Sequence, residues 1–540
     1  MLKQTSWIFL LLLFDLSSCE PTSQNQNDSS QEVTTTSAEG QELYDETLFP
    51  DMPEFRGPSL EFRILHMNDV YEISASRSTK LGGLARVASL RKHLLAENPN
   101  LITVLPGDFL SPSFIGLQKD ENGNKISGKH MVEVLNAVGL DYVTFGNHEF
   151  DLSFEELKEC MDMSEFEWTS CNVFHRIPMG VTYFTKKKDG KEKNIGRYIV
   201  HKFYDEQYGQ VRLGLLAATL PFNIKDYVNY STVFLALKST YEKLYAEADL
   251  VALMTHLEKT SDRELARRLP VFPLIMGGHD HQNMIERVGN TIIAKADANA
   301  NSVYVHTLNY YFETRAVQVK SKLIAIDESI EEDPEVAAIV SKWEEFASER
   351  SKASDFDPYE VIFTADTAFD CREVTVRNRA ADIGWLIGSS FIWAMEDADC
   401  AILNGGSIRL DDYLEGDIMQ QDILAMLPFG GPISMVEMSG QDLQKTLDIG
   451  LYVNIGKGGF LQVSNIKKAG QFWVIGDEQL DPEKTYKVAM PKFLADGRET
   501  KLEFLSEYSS KTPESIGDGR VKNDVRNIMI EHLKAKISSN

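Results

Sequence analysis

Cysteine is scarce in this chain: there are five in 540 residues, and no two show C-x-x-C spacing. No zinc site built on cysteine pairs can be read from them. Positive charge is also short, with 55 Lys and Arg against 81 Asp and Glu, for a net charge of −26. A surface this acidic repels polyphosphate backbones, which argues against a nucleic-acid polymer as partner. A small anion held in a local pocket of Arg and metal stays open. Long hydrophobic runs are missing as well. The apolar stretch from Trp7 to Phe14 is too short to span a bilayer, and nothing after it reads as a membrane span. There is no internal repeat. What is present, 43% hydrophobic and 10% aromatic residues, fits globular cores, and the length allows two or three domains.

The amino terminus, "MLKQTSWIFLLLLFDLSSCE", places Lys3 before that apolar stretch and ends it in Leu16-Ser17-Ser18-Cys19. These are the proportions of a signal-peptide core over residues 1–19. "LSSC" resembles the bacterial lipobox, in which the cysteine is lipidated. The alternative is a plain secretory signal. Either way the mature protein is expected outside the cytoplasm: anchored at the envelope or periplasm through Cys19, or secreted. Membrane contact is expected only through that anchor. Cys160, Cys171, Cys371 and Cys400 remain, and are expected to be buried thiols with at most one bridge. Residues 20–59, rich in Ser, Thr, Gln and Asn, cannot bury a core and are expected to form a disordered tether.

From about Leu60 strands and helices alternate, the pattern of an α/β chain. "EFRILHM" has strand alternation, "LGGLARVASLRKHLLAE" has helical periodicity, and "LITVLPGD" is a buried strand ending in a turn. "GKHMVEVLNAVGL" follows as a helix and "DYVTFGNHEFD" as a strand running into a loop. "VRLGLLAAT", "LVALMTHL" and "PLIMGGHDH" repeat an apolar run closed by polar residues. A first domain is read over 60–330. A charged helix follows over 331–357 as connector and hinge region, and a second, smaller α/β region over 358–540. Ligands of α/β proteins gather at the carboxyl ends of strands.

The residues at those ends are Asp69, Asp108, Asn147 with His148 and Asp151, His256, and His279 with His281. Carboxylate, amide oxygen and imidazole suit borderline divalent cations such as Mn, Zn or Fe. A lone His in a core is more often structural. Five polar clusters in this order, each closing an apolar strand, point to a metal.

The series Asp, Gly-Asp, Gly-Asn-His-Glu, His and Gly-His-x-His resembles the calcineurin-like metallophosphoesterases, and "GNHEFD" with the later motifs is similar to their 5'-nucleotidase branch. The resemblance runs over roughly residues 61–500. It implies a four-layer αββα sandwich, a connecting helix and a smaller α/β substrate-binding domain. It implies two divalent ions (Zn, Mn, Mg or Fe) bridged by Asp108. Asp69 and His281 would hold the first ion, and Asn147, His256 and His279 the second. Water activated by the ions would attack a phosphomonoester. His148 would contact the leaving oxygen or the phosphate, oriented by Asp151. Tyr71 departs from the pattern, since the family's D-x-H has His where this chain has Asp-Val-Tyr. A phenol with a pKa of about 10 is a poor ligand for a divalent ion at neutral pH. Three readings stay open: a weak ligand or second-sphere group, a labile first metal site, or a tethered nucleotide-binding protein without turnover.

In the second region, "VRNRAADIGWLI" carries Arg377 and Arg379, "LNGGSIR" carries Asn404, Gly406 and Arg409, and "LPFGGP" carries Phe429. Glycines let the backbone approach an anion, and Arg offers a fork for phosphate. By the same resemblance, Arg377, Arg409 and Asn404 would contact phosphate or ribose, and Phe429 and Phe493 would sandwich a base. Where the family has "GGDG", this chain reads "ADGRET", with Glu499 near the place of the acidic residue. "AADIGW" replaces "E-x-N-x-G-N". The expected substrate is a small organic phosphate, first a nucleoside 5'-monophosphate. The alternatives are a sugar phosphate, or a diester or diphosphate such as a cyclic nucleotide or nucleotide sugar.

Overall fold

The computed structural model describes residues 55–222, 224–352, 360–410, 412–517, 519 and 521–538. The expected leader, the expected tether up to residue 54, Cys19 as the expected lipidation site, and part of the expected connector lie outside the described residues.

Two six-stranded sheets form the middle of the first domain. One runs, edge to edge, Ala316–Ala325, Ser302–Tyr311, Ser59–His66, Leu101–Pro106, Tyr142–Thr144 and Glu167–Trp168. The other runs Met284–Val288, Thr291–Lys295, Leu274–Gly277, Leu250–His256, Gly209–Thr219 and Tyr198–Asp205. The period-2 patterns explain why the sheets face each other. Phe62, Ile64, Ile102 and Val104 of the first sheet join Leu213, Leu215, Ala252, Met254 and Met276 of the second in one buried cluster. The alternate residues point outward. Leu65, Leu101 and Leu105 pack under helices Leu84–Glu97, Lys129–Val138 and Phe154–Met163, and Leu216, Val251 and Leu253 under Val233–Leu244 and the apolar side of Lys259–Arg268. The result is the expected four-layer αββα sandwich. Short hairpins, Val173–Ile177 with Gly180–Thr182 and Thr185–Lys188 with Lys191–Asn194, were not legible as strands because their residues are largely polar and exposed.

The helix Pro334–Lys352 packs on the outer layer of the first sheet. In the second domain, strand order is Leu461–Ser464, Cys400–Asn404, Thr485–Pro491, Ile433–Ser439 and Ser510–Lys511. The apolar helix Asp382–Ala394 and the helix Val525–Ser538 share its core. The four cysteines 160, 171, 371 and 400 are buried and form no disulfide among the described residues, and burial pushes three of their thiols, those of Cys160, Cys171 and Cys400, up to about 12. Among the described residues, no helix is long and apolar enough to cross a membrane.

Burial has a consequence in acid. His130 lies inside the helix Lys129–Val138, its Nε2 3.0 Å from Ser113 Oγ, and desolvation lowers its pKa to about 3. It is neutral when folded and ordinary when unfolded, so it favours the fold above about pH 6.5 and loses that contribution as pH falls toward 3. The expected slope is up to about 1.4 kcal/mol per pH unit. Urea titrations of the wild type and His130→Gln between pH 7 and 4 should converge or cross as pH falls. Parallel profiles refute this.

Candidate metal centre

The candidate ligands sit where parallel strands of both sheets end on the same side. Strands Ser59–His66, Leu101–Pro106 and Tyr142–Thr144 are mutually parallel, as are Gly209–Thr219, Leu250–His256 and Leu274–Gly277. The backbone turns sharply just past several of these ends. Asp69 (φ 52°), Asp108 (φ 57°), His279 (φ 82°) and His281 (φ 58°) are all left-handed. Non-glycine residues rarely adopt this conformation, and such strain gathers at functional sites. The glycines of "GD", "GN" and "GG" are needed for close approach. A Cβ on Gly146 would lie 2.0 Å from Asp108 Oδ1, and one on Gly278 2.9 Å from Asp69 Oδ2.

Asp69, Asp108 and His281 place ligand atoms within 4.8 Å of one another, all buried. Asp69 Oδ2 accepts from Asn68 Nδ2 and from the His279 amide, both at 2.8 Å. Its Oδ1 is buried, lies 3.5 Å from His281 Nε2, and accepts no hydrogen bond among the described residues. Asp108 Oδ1 accepts from the His148 amide at 2.7 Å, and Oδ2 lies 3.1 Å from His256 Nε2. Asn147 Oδ1 is 3.2 Å from the same imidazole nitrogen, and the Nδ1 of that ring faces Pro106 O at 2.8 Å. His279 brings its ring to 5.3 Å from that of His256, centroid to centroid. His148 Nδ1 lies 2.7 Å from Asp151 Oδ2, so its Nε2 faces the opposite way.

Electrostatics follow from this crowding. Burial alone would raise the Asp69 and Asp108 carboxyls, yet His256, with His281 beside Asp69 and His148 beside Asp108, holds both below the usual range. Burial alone would lower His256, but the two carboxylates raise it to about 9. Two buried carboxylates, an orphaned oxygen and converging imidazole nitrogens form a donor set that fits a divalent cation.

Tyr71 is inside this cluster. Its hydroxyl donates to Asp108 Oδ2 at 3.1 Å and lies 3.1 Å from His281 Nε2. Burial, then Asp108 and Asp69, push the phenol well above its usual range, which makes it a neutral donor rather than a phenolate. Tyr71→His replaces this donor with an imidazole lone pair. It should raise Mn²⁺ or Zn²⁺ affinity on the order of tenfold in chelator competition. Weaker binding by the variant would mean that the centre is built around the phenol.

Several groups of the second domain reach the same place. Arg409 lies 3.1 Å from His148 Nε2 and 3.5 Å from the Tyr71 hydroxyl. Arg377 forms an ion pair with Glu373, close by. Arg379 instead turns to Asp370 and Thr375 and is largely exposed. Asn404 Oδ1 accepts from Ser407 Oγ at 2.8 Å, and the Gly406 amide donates to Gly458 O. Burial raises the Glu499 carboxyl, against the opposing influence of Arg377 and Asn404. Phe429 and Phe493 are 53% and 44% exposed, open aromatic faces outside either core.

Sequence reasoning missed three groups. Glu149, inside "GNHEFD", accepts the amides of Gly146, Asp108, Phe109 and Leu110 and so ties two candidate ligand loops together. Burial and the nearby Asp108 raise its carboxyl to about 7. Its position within the motif was a usable signal. Lys295 carried none, since its partners are distant in sequence, and the i,i+4 spacing of Glu373 and Arg377 gave no hint that Glu373 also meets His281 and Arg409.

Residues 62–283 match the family described as calcineurin-like phosphoesterase, and residues 361–506 match 5'-nucleotidase, C-terminal domain. The trifunctional nucleotide phosphoesterase protein YfkN of Bacillus subtilis (strain 168) is 25% identical over 78% of the chain, which spans only 30% of that protein's length. The 5'-nucleotidase of Bos taurus is 25% identical over 81% of the chain and 83% of its own length. A crystal structure of a 5'-nucleotidase precursor from Thermus thermophilus superposes with a TM-score of 0.69 at 20% identity. That match covers 88% of this chain and 97% of the other.

Proposed function

The chain belongs to the 5'-nucleotidase family and is a metal-dependent phosphomonoester hydrolase, and from that premise we propose that it is an exported enzyme with two divalent ions that acts on nucleoside 5'-monophosphates. The observation that carries this reading is Arg409. It comes from the second domain, yet stands within 3.5 Å of both His148 and Tyr71, at the Asp69–Asp108–His281 cluster. A phosphate at the cluster would meet this guanidinium, a planar fork suited to phosphate.

Asp69, Asp108 and His281 would hold one ion, and Asn147, His256 and His279 would complete the second site with Asp108. Bound divalent ions supply Lewis acidity, which neutralises phosphoryl oxygens and acidifies water. His148, oriented by Asp151, would contact the leaving oxygen or the phosphate through Nε2. Arg377 and Asn404 would bind the phosphate or ribose. Phe429 and Phe493 would stack the base, with a gain of about 1–3 kcal/mol per stacked base. The leader "WIFLLLLF…LSSC" supports export, either as an envelope lipoprotein or as a secreted protein.

The test is phosphate release from nucleoside monophosphates, sugar phosphates, cyclic nucleotides and nucleotide sugars, with Mn²⁺, Zn²⁺, Mg²⁺ and Fe²⁺ supplied in turn. A kcat/KM preference for nucleoside monophosphates is expected. A preference for sugar phosphates or for diesters would overturn the nucleotide assignment.

A further inference from the structure

Glu373 opens a short helix, Glu373–Val376, just after the strand Val361–Asp370 of the second domain. Its Oε2 lies 3.4 Å from Nδ1 of His281, a residue of the first domain. The opposite ring nitrogen, Nε2, faces Asp69 Oδ1 at 3.5 Å and the Tyr71 hydroxyl at 3.1 Å. The imidazole is therefore held between a carboxylate on its remote nitrogen and the candidate metal cluster on its near one. By contrast, His256 has its remote nitrogen against Pro106 O, inside its own domain. Glu373 is also shared by both candidate phosphate-binding arginines, pairing with Arg377 and lying 3.4 Å from Arg409 Nη1.

We propose that Glu373 is a positioning residue: the second domain supplies the carboxylate that orients the metal ligand His281, so affinity at the first metal site depends on the docked second domain and on what its arginines bind. The inference rests on reading Asp69, Asp108 and His281 as a metal centre. A carboxylate at Nδ1 favours the tautomer with its proton there, which leaves the Nε2 lone pair directed at the cluster. At 3.4 Å the contact is long for a hydrogen bond, so it acts mainly through charge and by limiting ring rotation. The two domains are further pinned by Ser78 on Asp412, at 3.1 Å, and by an Arg77–Asp422 ion pair. The geometry therefore belongs to a docked arrangement. Because Glu373 touches both His281 and the arginines, an anion on the arginines and an ion on His281 bias one side chain. Their affinities must then be coupled reciprocally.

The experiment is chelator competition with Mn²⁺ and with Zn²⁺ on the full chain, with and without inorganic phosphate. Wild type, Glu373→Gln and Glu373→Ala are compared. Loss of an outer carboxylate partner typically weakens a site about 10–100-fold. The expected order of affinity is wild type, Gln, Ala. Phosphate should tighten metal binding in the wild type and lose that effect in Glu373→Ala, and the metal-free Tm of the three should agree within a few degrees. Equal metal affinity in wild type and Glu373→Ala overturns the proposal and assigns Glu373 to the arginines alone. A wild type that binds neither ion overturns both this inference and the metal-centre reading. Metal binding that follows the expected order while nucleotides are not hydrolysed overturns only the substrate assignment.

Discussion

Asp108→Asn is expected to abolish phosphate release to within the background of the assay, a fall of about 10³-fold or more. That is at least the upper end of what one electrostatic contact at a reacting centre contributes. The carboxylate is buried and central. One oxygen accepts the His148 amide, and the other is 3.1 Å from both His256 Nε2 and the Tyr71 hydroxyl. Asn keeps the shape and the amide contact but removes the charge. It also suits the left-handed backbone at φ 57°, a conformation in which Asn is among the better-tolerated residues. The variant is therefore expected to fold, with a melting temperature close to wild type and much weaker binding of divalent ions. Activity within tenfold of wild type at saturating Mn²⁺ or Zn²⁺ would remove Asp108 from the centre.

Lys295→Met is expected to destabilise the first domain by about 3–5 kcal/mol, the usual cost of breaking a buried ion pair from one side. The Lys295 ammonium is fully buried. It donates to Leu257 O at 2.6 Å and Gly278 O at 2.8 Å, lies 2.9 Å from Asp262 Oδ2, and pairs with Asp280. Its loss strands Asp262, whose carboxyl burial already raises even with Lys295 opposing. Asp262 then becomes protonated, and adding Asp262→Asn should recover part of the stability. A second effect follows from position. Leu257 follows His256, Gly278 precedes His279, and Asp280 separates His279 from His281. One ammonium thus anchors the backbone beside three candidate ligands, so metal affinity should fall together with the urea midpoint. A midpoint shift with unchanged metal affinity would make Lys295 purely structural.

Much of the site was legible because each candidate ligand lies within a few residues of its own strand's end. Asp69 follows Ser59–His66, Asp108 follows Leu101–Pro106, and His256 ends Leu250–His256. The apolar alternation that marks each strand also points its end at the site. The paired arginines of "VRNR" show the limit of such reading. Arg377 joins the Glu373–Arg409 group while Arg379 turns to Asp370, and nothing in a four-residue string separates them.

By itself, then, the sequence determined the α/β class, the two-domain order, the family and the candidate ligand set, because these are written in local periodicity and in short motifs. Only the tertiary structure decided what holds those ligands in place. Tyr71 meets His281 across 210 positions, Arg409 meets His148 across 261, and Lys295 meets Leu257 across 38. Such contacts depend on how sheets and domains dock, and docking is set by the summed burial of cores rather than by any segment near the residues concerned.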